Sequence, residues 1–240
     1  MQKITDMFSK EAIQKFLYFD VETVSSYKDI WELKTDNERL YKLWKRRELY
    51  YQGAYEEMKI ALESEIYEEK AGLEPEFSKI VCVSFGSFTD NGEKRFMSFY
   101  GEDEIDILNK TNKVLTNAAS KNWKLCGHNI KGFDVPCIGK RMLYNGINPA
   151  PNIRVWDKKP WETSFMDTSE IFSFGSWAQQ KSLSLDLLSC SLGVPSPKDG
   201  MNGAAVGAEY WKRKNYEGIK TYCEKDVNTV MDIMLKSCFE

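Results

Sequence analysis

Histidine is almost missing from this chain, with His128 the only one in 240 residues. The six cysteines (Cys82, Cys126, Cys137, Cys190, Cys223 and Cys238) show no CxxC or other zinc-like spacing. Several fall inside apolar runs such as IVCVSF, where a free thiol behaves as a small hydrophobe. No apolar run approaches the length that spans a bilayer. The first residues, MQKITDMFSKEAIQKF, lack the apolar stretch of a signal peptide. A reduced, soluble, cytoplasmic protein with no membrane partner is the expectation. Positive charge is not in excess either: the net charge is -3, so charge alone points to no nucleic-acid partner. Internal repeats and low-complexity tracts are absent. GMNGAAVG (200–207) matches neither the P-loop nor the dinucleotide fingerprint, and Asn202 as a helix cap accounts for it. What remains is an ordinary globular balance, 42% hydrophobic and 29% charged, with ample aromatic material for a core.

Periodicity supplies the elements. FLYFDVET (16–23) reads as a buried strand. KIVCVSFGSF from Lys79 and KRFMSFYG from Lys94 read as two more, joined by a hairpin at the DNG of 90–92. From Asp103 onward, Ile105, Leu108 and Leu115 recur at helical spacing. WKLCGHNI (123–130) is the next strand, and Asp134 opens a helix to about Tyr144. SFMDTSEIF (164–172) reads as a strand or strand end. Ser184 caps SLDLLSCSL, with Gly193 closing it. In the last helix Ile219, Cys223, Val227, Val230, Met234 and Cys238 form a core-facing stripe. The order predicts an α/β domain, a mixed sheet covered by helices. The charged segment of about 28–76 reads as a helical insertion after the first strand. Thr35 with Glu38 suggests a capping box. Leu40, Trp44, Tyr51, Tyr55, Met58, Leu62 and Ile66 mark one face. The insertion either covers part of the domain or acts as a clamp through Lys42, Lys45, Arg46 and Arg47.

Four acids and a tyrosine sit beside these apolar elements. Asp20 and Glu22 alternate on a strand and so share a face. Tyr222 and Asp226 stand one helical turn apart. Asp134 sits at a helix start, where its charge suits the dipole. If the three elements pack side by side, each ionised pair at about 4 Å repels by roughly 4 kcal/mol at an effective dielectric near 20. Such a cluster requires cations or shared protons. Oxygen-only ligands select magnesium or manganese over zinc.

FDVET, NIKGFD and YCEKD resemble the three motifs of the DnaQ-like, or DEDD, 3′–5′ exonucleases. A tyrosine four residues before the last aspartate resembles the DEDDy branch. NIKGFDVP and YCEKD are most similar to the proofreading domain of family-B DNA polymerases. YEEKAGLEPEFSKIVCVSFG (67–86) is similar to stand-alone exonucleases related to it. The likeness runs from about Phe16 onward, with 28–66 the poorest match. It implies a ribonuclease-H-like fold, one exonuclease domain over 1–240, and hydrolysis of phosphodiester bonds with two Mg2+ or Mn2+ ions. By motif, Asp20, Glu22 and Asp226 hold one ion, Asp20 bridges to the second, and Asp134 reaches that second ion. Tyr222 orients the attacking water. The branch with histidine five residues before the last acid would place it at 221, which is threonine here.

The resemblance also puts Thr23, Asn129 and Phe133 among the candidate nucleic-acid contacts, Asn129 having helix capping as its alternative. RVWDKKPWETSF (154–165) interleaves Arg154, Lys158 and Lys159 with Trp156 and Trp161, a mixture that suits single strands; it equally suits a packed surface loop. His128 and Asp167 read as structural, and Lys212, Arg213 and Lys214 as a solvated helix face. The implied substrate is the 3′ end of single-stranded DNA, in replication, proofreading or repair beside a separate DNA polymerase. A 3′–5′ exoribonuclease and a non-catalytic nucleic-acid-binding module are the rivals.

Overall fold

The two-residue period of FLYFDVETVS divides the central strand between two helical layers. The computed structural model describes residues 8–52, 63–159, 162–163, 165–174, 183–196, 201 and 203–238. Tyr55, Met58, Leu62, Trp161 and Asn202 lie outside the described residues. The elements, in order, are α1 (Lys10–Ile13), β1 (Phe16–Ser25), α2 (Ile30–Asp36), α3 (Glu38–Gln52), α4 (Glu63–Lys70), β2 (Ser78–Phe88) and β3 (Lys94–Tyr100). There follow α5 (Glu104–Ser120), β4 (Lys124–Gly127), α6 (Asp134–Tyr144), β5 (Met166–Asp167), α7 (Thr168–Ser173), α8 (Leu185–Leu192), α9 (Val206–Ala208) and α10 (Tyr216–Lys236). The strands form one sheet in the order β3-β2-β1-β4-β5. β1–β2 and β2–β3 are antiparallel, whereas β1–β4 and β4–β5 are parallel. Among the described residues no helix is long and apolar enough to cross a membrane.

Leu17, Phe19 and Val21 of β1 enter a core with Leu108 and Leu115 of α5 and Val135, Ile138 and Met142 of α6. Phe16 and Tyr18 face the other way, against Val227, Val230, Met231 and Met234 of α10. Val24 meets Ile219, Tyr222 and Cys223 of the same helix. Asp20 and Glu22 continue this second line by alternation. The β1–β2 register shifts between Glu22, opposite Cys82, and Thr23, opposite Ile80. The extra residue puts Val81 and Cys82, successive in sequence, into one cluster against α10. Such a bulge re-aims side chains, here beside the two strand acids. α10 crosses β2 so closely that a Cβ at Gly86 would lie 2.6 Å from Met231 Sδ. Lys94 Nζ fixes the helix to the edge strand through Asn228 Oδ1 at 2.7 Å and Asp232.

Several expectations need correction. Thr35 caps nothing: it lies inside α2, its hydroxyl donating to the Trp31 carbonyl, while Asn37 Oδ1 accepts from Leu40 N and starts α3. Asparagine is as good a cap as threonine, and Asn37 is the residue whose backbone leaves the helical region at the break. Ile105 is exposed, and the buried stripe of α5 runs through Ile107, Leu108, Thr111, Leu115 and Ala118. The 123–130 strand ends at Gly127, because Asn129 turns to a left-handed φ of 58° and its carbonyl accepts from the amides of Gly132 and Phe133. The 164–172 strand is only Met166–Asp167; Asp167 then caps α7. Ser184 and Gly193 bound α8 as expected.

The insertion has its own core of Ile30, Leu33, Trp44, Ile66, Tyr67, Ala71 and Phe77, with Leu40 and Tyr51 packed against it. Three of its four expected clamp cations pair with acids: Lys42 with Glu38, Lys45 with Glu48, and Arg47 with Glu74. The Thr23 hydroxyl, on β1, donates to the Gly72 carbonyl at 2.6 Å, joining the end of the insertion to the central strand.

Candidate active site

Three elements carry the acids to one place. β1 supplies Asp20 and Glu22, the start of α6 supplies Asp134, and α10 supplies Asp226 with Tyr222 one turn earlier. Glu22, Asp134 and Tyr222 are buried, while Asp20 keeps some exposure. Burial pushes the Asp20 carboxyl well above its ordinary range, and the charges of Asp226, Asp134 and Glu22 push it further. Glu22 is raised by burial, then by Asp226, Cys82 and Asp134. Asp134 is pushed up to about 8, mainly by burial, with Asp167 and Asp226 adding to it and backbone amides opposing. The acids therefore sense one another, and the principal charges acting on them are other acids. Asp134 Oδ1 is buried and accepts no hydrogen bond. An ionised oxygen without a partner is costly in a low-dielectric place unless a cation meets it. The donor set is thus suited to hard divalent ions.

Cys223 adds a group that the sequence pattern did not reveal. Its thiol donates to the Asp20 carbonyl and to Asp20 Oδ2, both at 3.4 Å. Burial and contact with Cys82 hold the thiol protonated. A thiol at the core edge reads as apolar in sequence; the available signal was that Cys223 stands three residues before Asp226 on the same helix. Tyr222 is likewise raised, by burial and then by Asp226 and Glu22, and its hydroxyl bonds Asp226.

Asp167 organises the approach to Asp134. It is buried, its Oδ1 accepting from the amides of Asn129 at 2.8 Å and Ser169 at 3.0 Å, and its Oδ2 from Lys131 N at 3.0 Å. One carboxylate thereby caps α7 and pins the loop that leads into α6. Gly127 makes the same corner possible: a Cβ there would lie 2.8 Å from the Phe19 carbonyl and 2.3 Å from Ile130 Cγ2. His128 stays inside the fold, neutral through burial. Its Nε2 donates to the Leu183 carbonyl at 2.6 Å, and its Nδ1 lies 2.9 Å from the Thr168 hydroxyl, whose oxygen is also 3.2 Å from the Gly127 carbonyl.

The expected nucleic-acid contacts are placed less uniformly. Thr23 directly follows Glu22 but spends its hydroxyl on Gly72. Asn129 is exposed and does not cap α6, whose cap position is Phe133, half-buried and without a capping side-chain bond. Trp156 and Lys158 are exposed on a turn closed by Lys158 N to the Val155 carbonyl. Arg154 is tied back to Pro149 and Asn148. Lys212, Arg213 and Lys214 are exposed and pair with Glu68, Glu209 and Glu102.

Residues 72–238 match the model of a family described as a predicted 3′–5′ exonuclease related to the exonuclease domain of PolB. No curated protein sequence matches the chain. Among solved structures, the family B DNA polymerase of the hyperthermophilic archaeon Pyrobaculum calidifontis is similar, with a TM-score of 0.51 at 16% identity. The similarity covers 90% of this chain but 23% of the polymerase, so the chain spans about a quarter of that protein. The shared feature is the fold, a ribonuclease-H-like mixed sheet flanked by helices, as the motifs implied.

Proposed function

Because the chain belongs to the family of predicted 3′–5′ exonucleases related to the exonuclease domain of PolB, we propose that it removes nucleoside 5′-monophosphates from 3′ ends of single-stranded DNA. Asp20, Glu22 and Asp226 would hold one Mg2+ or Mn2+, with Asp20 shared and Asp134 directed to a second. Bound there, the pair would supply Lewis-acid activation of water and stabilisation of the leaving oxygen. The observation that carries this reading is the meeting of Asp20, Glu22 and Asp134, each raised and each acted on by the charge of Asp226, with a buried Asp134 Oδ1 that accepts no hydrogen bond.

The chain's own groups do the rest. Tyr222 stays protonated, donates to Asp226, and offers its oxygen lone pairs to a hydrogen of the attacking water. That contact fixes the direction of attack, an orienting role that requires no proton transfer. The Asp167-pinned loop holds Asp134 in place and presents Asn129 and Phe133 toward a terminal nucleotide. Trp156 and Lys158 provide a stacking face and a cation for a strand further along. We assign residues 1–240 to one exonuclease domain, its insertion serving as cover. A cytoplasmic setting beside a separate DNA polymerase fits proofreading or repair.

The test is digestion of 5′-labelled single-stranded DNA and the matched RNA, with Mg2+ or Mn2+ and with chelator. A DNA ladder shortening from the 3′ end, absent with chelator, is expected. Preferential RNA trimming would reassign the substrate to RNA, because the 2′-hydroxyl is then accepted. Binding without turnover would leave only a nucleic-acid-binding module, and internal cuts would overturn the exonuclease reading.

A further inference from the structure

The Cys223 sulfur belongs to the acid cluster itself. Ligand atoms of Asp20, Glu22 and Cys223 all lie within 4.8 Å of one another, and Sγ is 3.4 Å from Asp20 Oδ2. A tetrahedral ion with bonds of about 2.0 Å to oxygen and about 2.3 Å to sulfur sets those two atoms roughly 3.5 Å apart. The protein already holds that spacing. Independently, Asp134 Oδ1 is buried without a hydrogen bond, and its charge acts on both Asp20 and Glu22. Magnesium and manganese favour the oxygens and leave the thiol as a donor; zinc and cadmium bind sulfur strongly.

We infer that Asp20, Glu22 and Cys223 form a site for a thiophilic divalent cation of the zinc class, which displaces the hard ion and stops hydrolysis. This rests on the nuclease reading above and adds a mode of inhibition to it. On binding, the S–H bond breaks, a metal–sulfur bond forms, and the proton passes to buffer. No electron changes hands. Cys82, in contact with Cys223 from β2, lies outside the ligand set.

Cadmium is the probe, because a thiolate–cadmium bond absorbs in the ultraviolet where carboxylate–cadmium does not. The background carries Cys190→Ser and Cys238→Ser, which removes the two thiols that are not buried. Cd2+ added without manganese should give a thiolate band and proton release, both lost in Cys223→Ser and both kept in Cys82→Ser. The zinc concentration that halves manganese-supported digestion should rise at least about tenfold in Cys223→Ser. An unchanged band and unchanged zinc sensitivity in that variant overturn the proposal. Should Cys223→Ser lose its fold by circular dichroism, Glu22→Gln decides: weaker cadmium binding supports the site, and wild-type binding overturns it. Manganese-induced thermal stabilisation, present in wild type and lost in Asp20→Asn, separates the two claims. If it persists while the cadmium result fails, only the thiol site falls. If it too is missing, the hard-metal site falls with it.

Discussion

A carboxyl group held above its ordinary range carries a charge that either a proton or a cation relieves. Asp134 moves from 3.8 to about 8, so between those values the native protein binds more protons than the unfolded chain. Its contribution to metal-free stability therefore falls as pH rises through that window and is lowest above about 8. Asp134→Asn should flatten this fall and raise the metal-free melting temperature at pH 8 by about 2–8 °C, the equivalent of roughly 1–2 kcal/mol. The same variant should lose most of the stabilisation by Mn2+. Melting curves with chelator and with Mn2+ check both, and a steeper pH dependence in the variant would contradict the sign. Tyr222→Phe is the complementary case. It removes a hydroxyl but no ligand, so turnover should slow by up to roughly a hundredfold while the Mn2+ shift remains. Equal turnover in the phenylalanine variant would show that water is oriented by something else.

Elements matter here through how closely they approach. Gly127 lets β4 turn against the Phe19 carbonyl, the residue before Asp20. Backbone cannot retreat as a side-chain tip can, so Gly127→Ala should cost about 1–3 kcal/mol and weaken Mn2+ binding by moving Asp20 away from Asp134. Gly139, in α6, has nothing within 4 Å of an added Cβ. Gly139→Ala should instead be neutral or stabilise by about 0.5–1 kcal/mol, since the helix gains a better former. Urea denaturation distinguishes the pair. The same closeness explains what could be read in advance. α10 and α8 were legible because a stripe or a pair of caps lies within a few residues of sequence. β1 was legible because its apolar residues and its acids alternate together. The end of β4 and the brevity of β5 were not, because one buried carboxylate, Asp167, holds the loop after β4 from 36 and 38 residues away and caps α7 from the last position of β5. The choice of Asn37 over Thr35 was hidden by two adequate caps in three residues. Cys223 was hidden because sulfur passes for hydrocarbon until Asp20 is beside it.

At the scale of the whole molecule, the insertion stands on a separate set of side chains. Trp44 is fully buried, edge-on to Tyr67 and Phe77, in a cluster distinct from the three that pack on the sheet. Trp44→Ala should cost about 3–5 kcal/mol locally. By hydrogen exchange, amides of α2 and α3 should lose more protection than those of α10. Uniform loss across both would mean that the clusters unfold as one. The Thr23–Gly72 hydrogen bond ties the insertion to the acid-bearing strand beside Glu22.

Asp20 meets Cys223 across 203 residues of chain. A polypeptide emerging from the ribosome exposes its first two acids long before the helix bearing Tyr222 and Asp226 is made. Until then the acid cluster is incomplete, so a growing copy lacks the cation site proposed above.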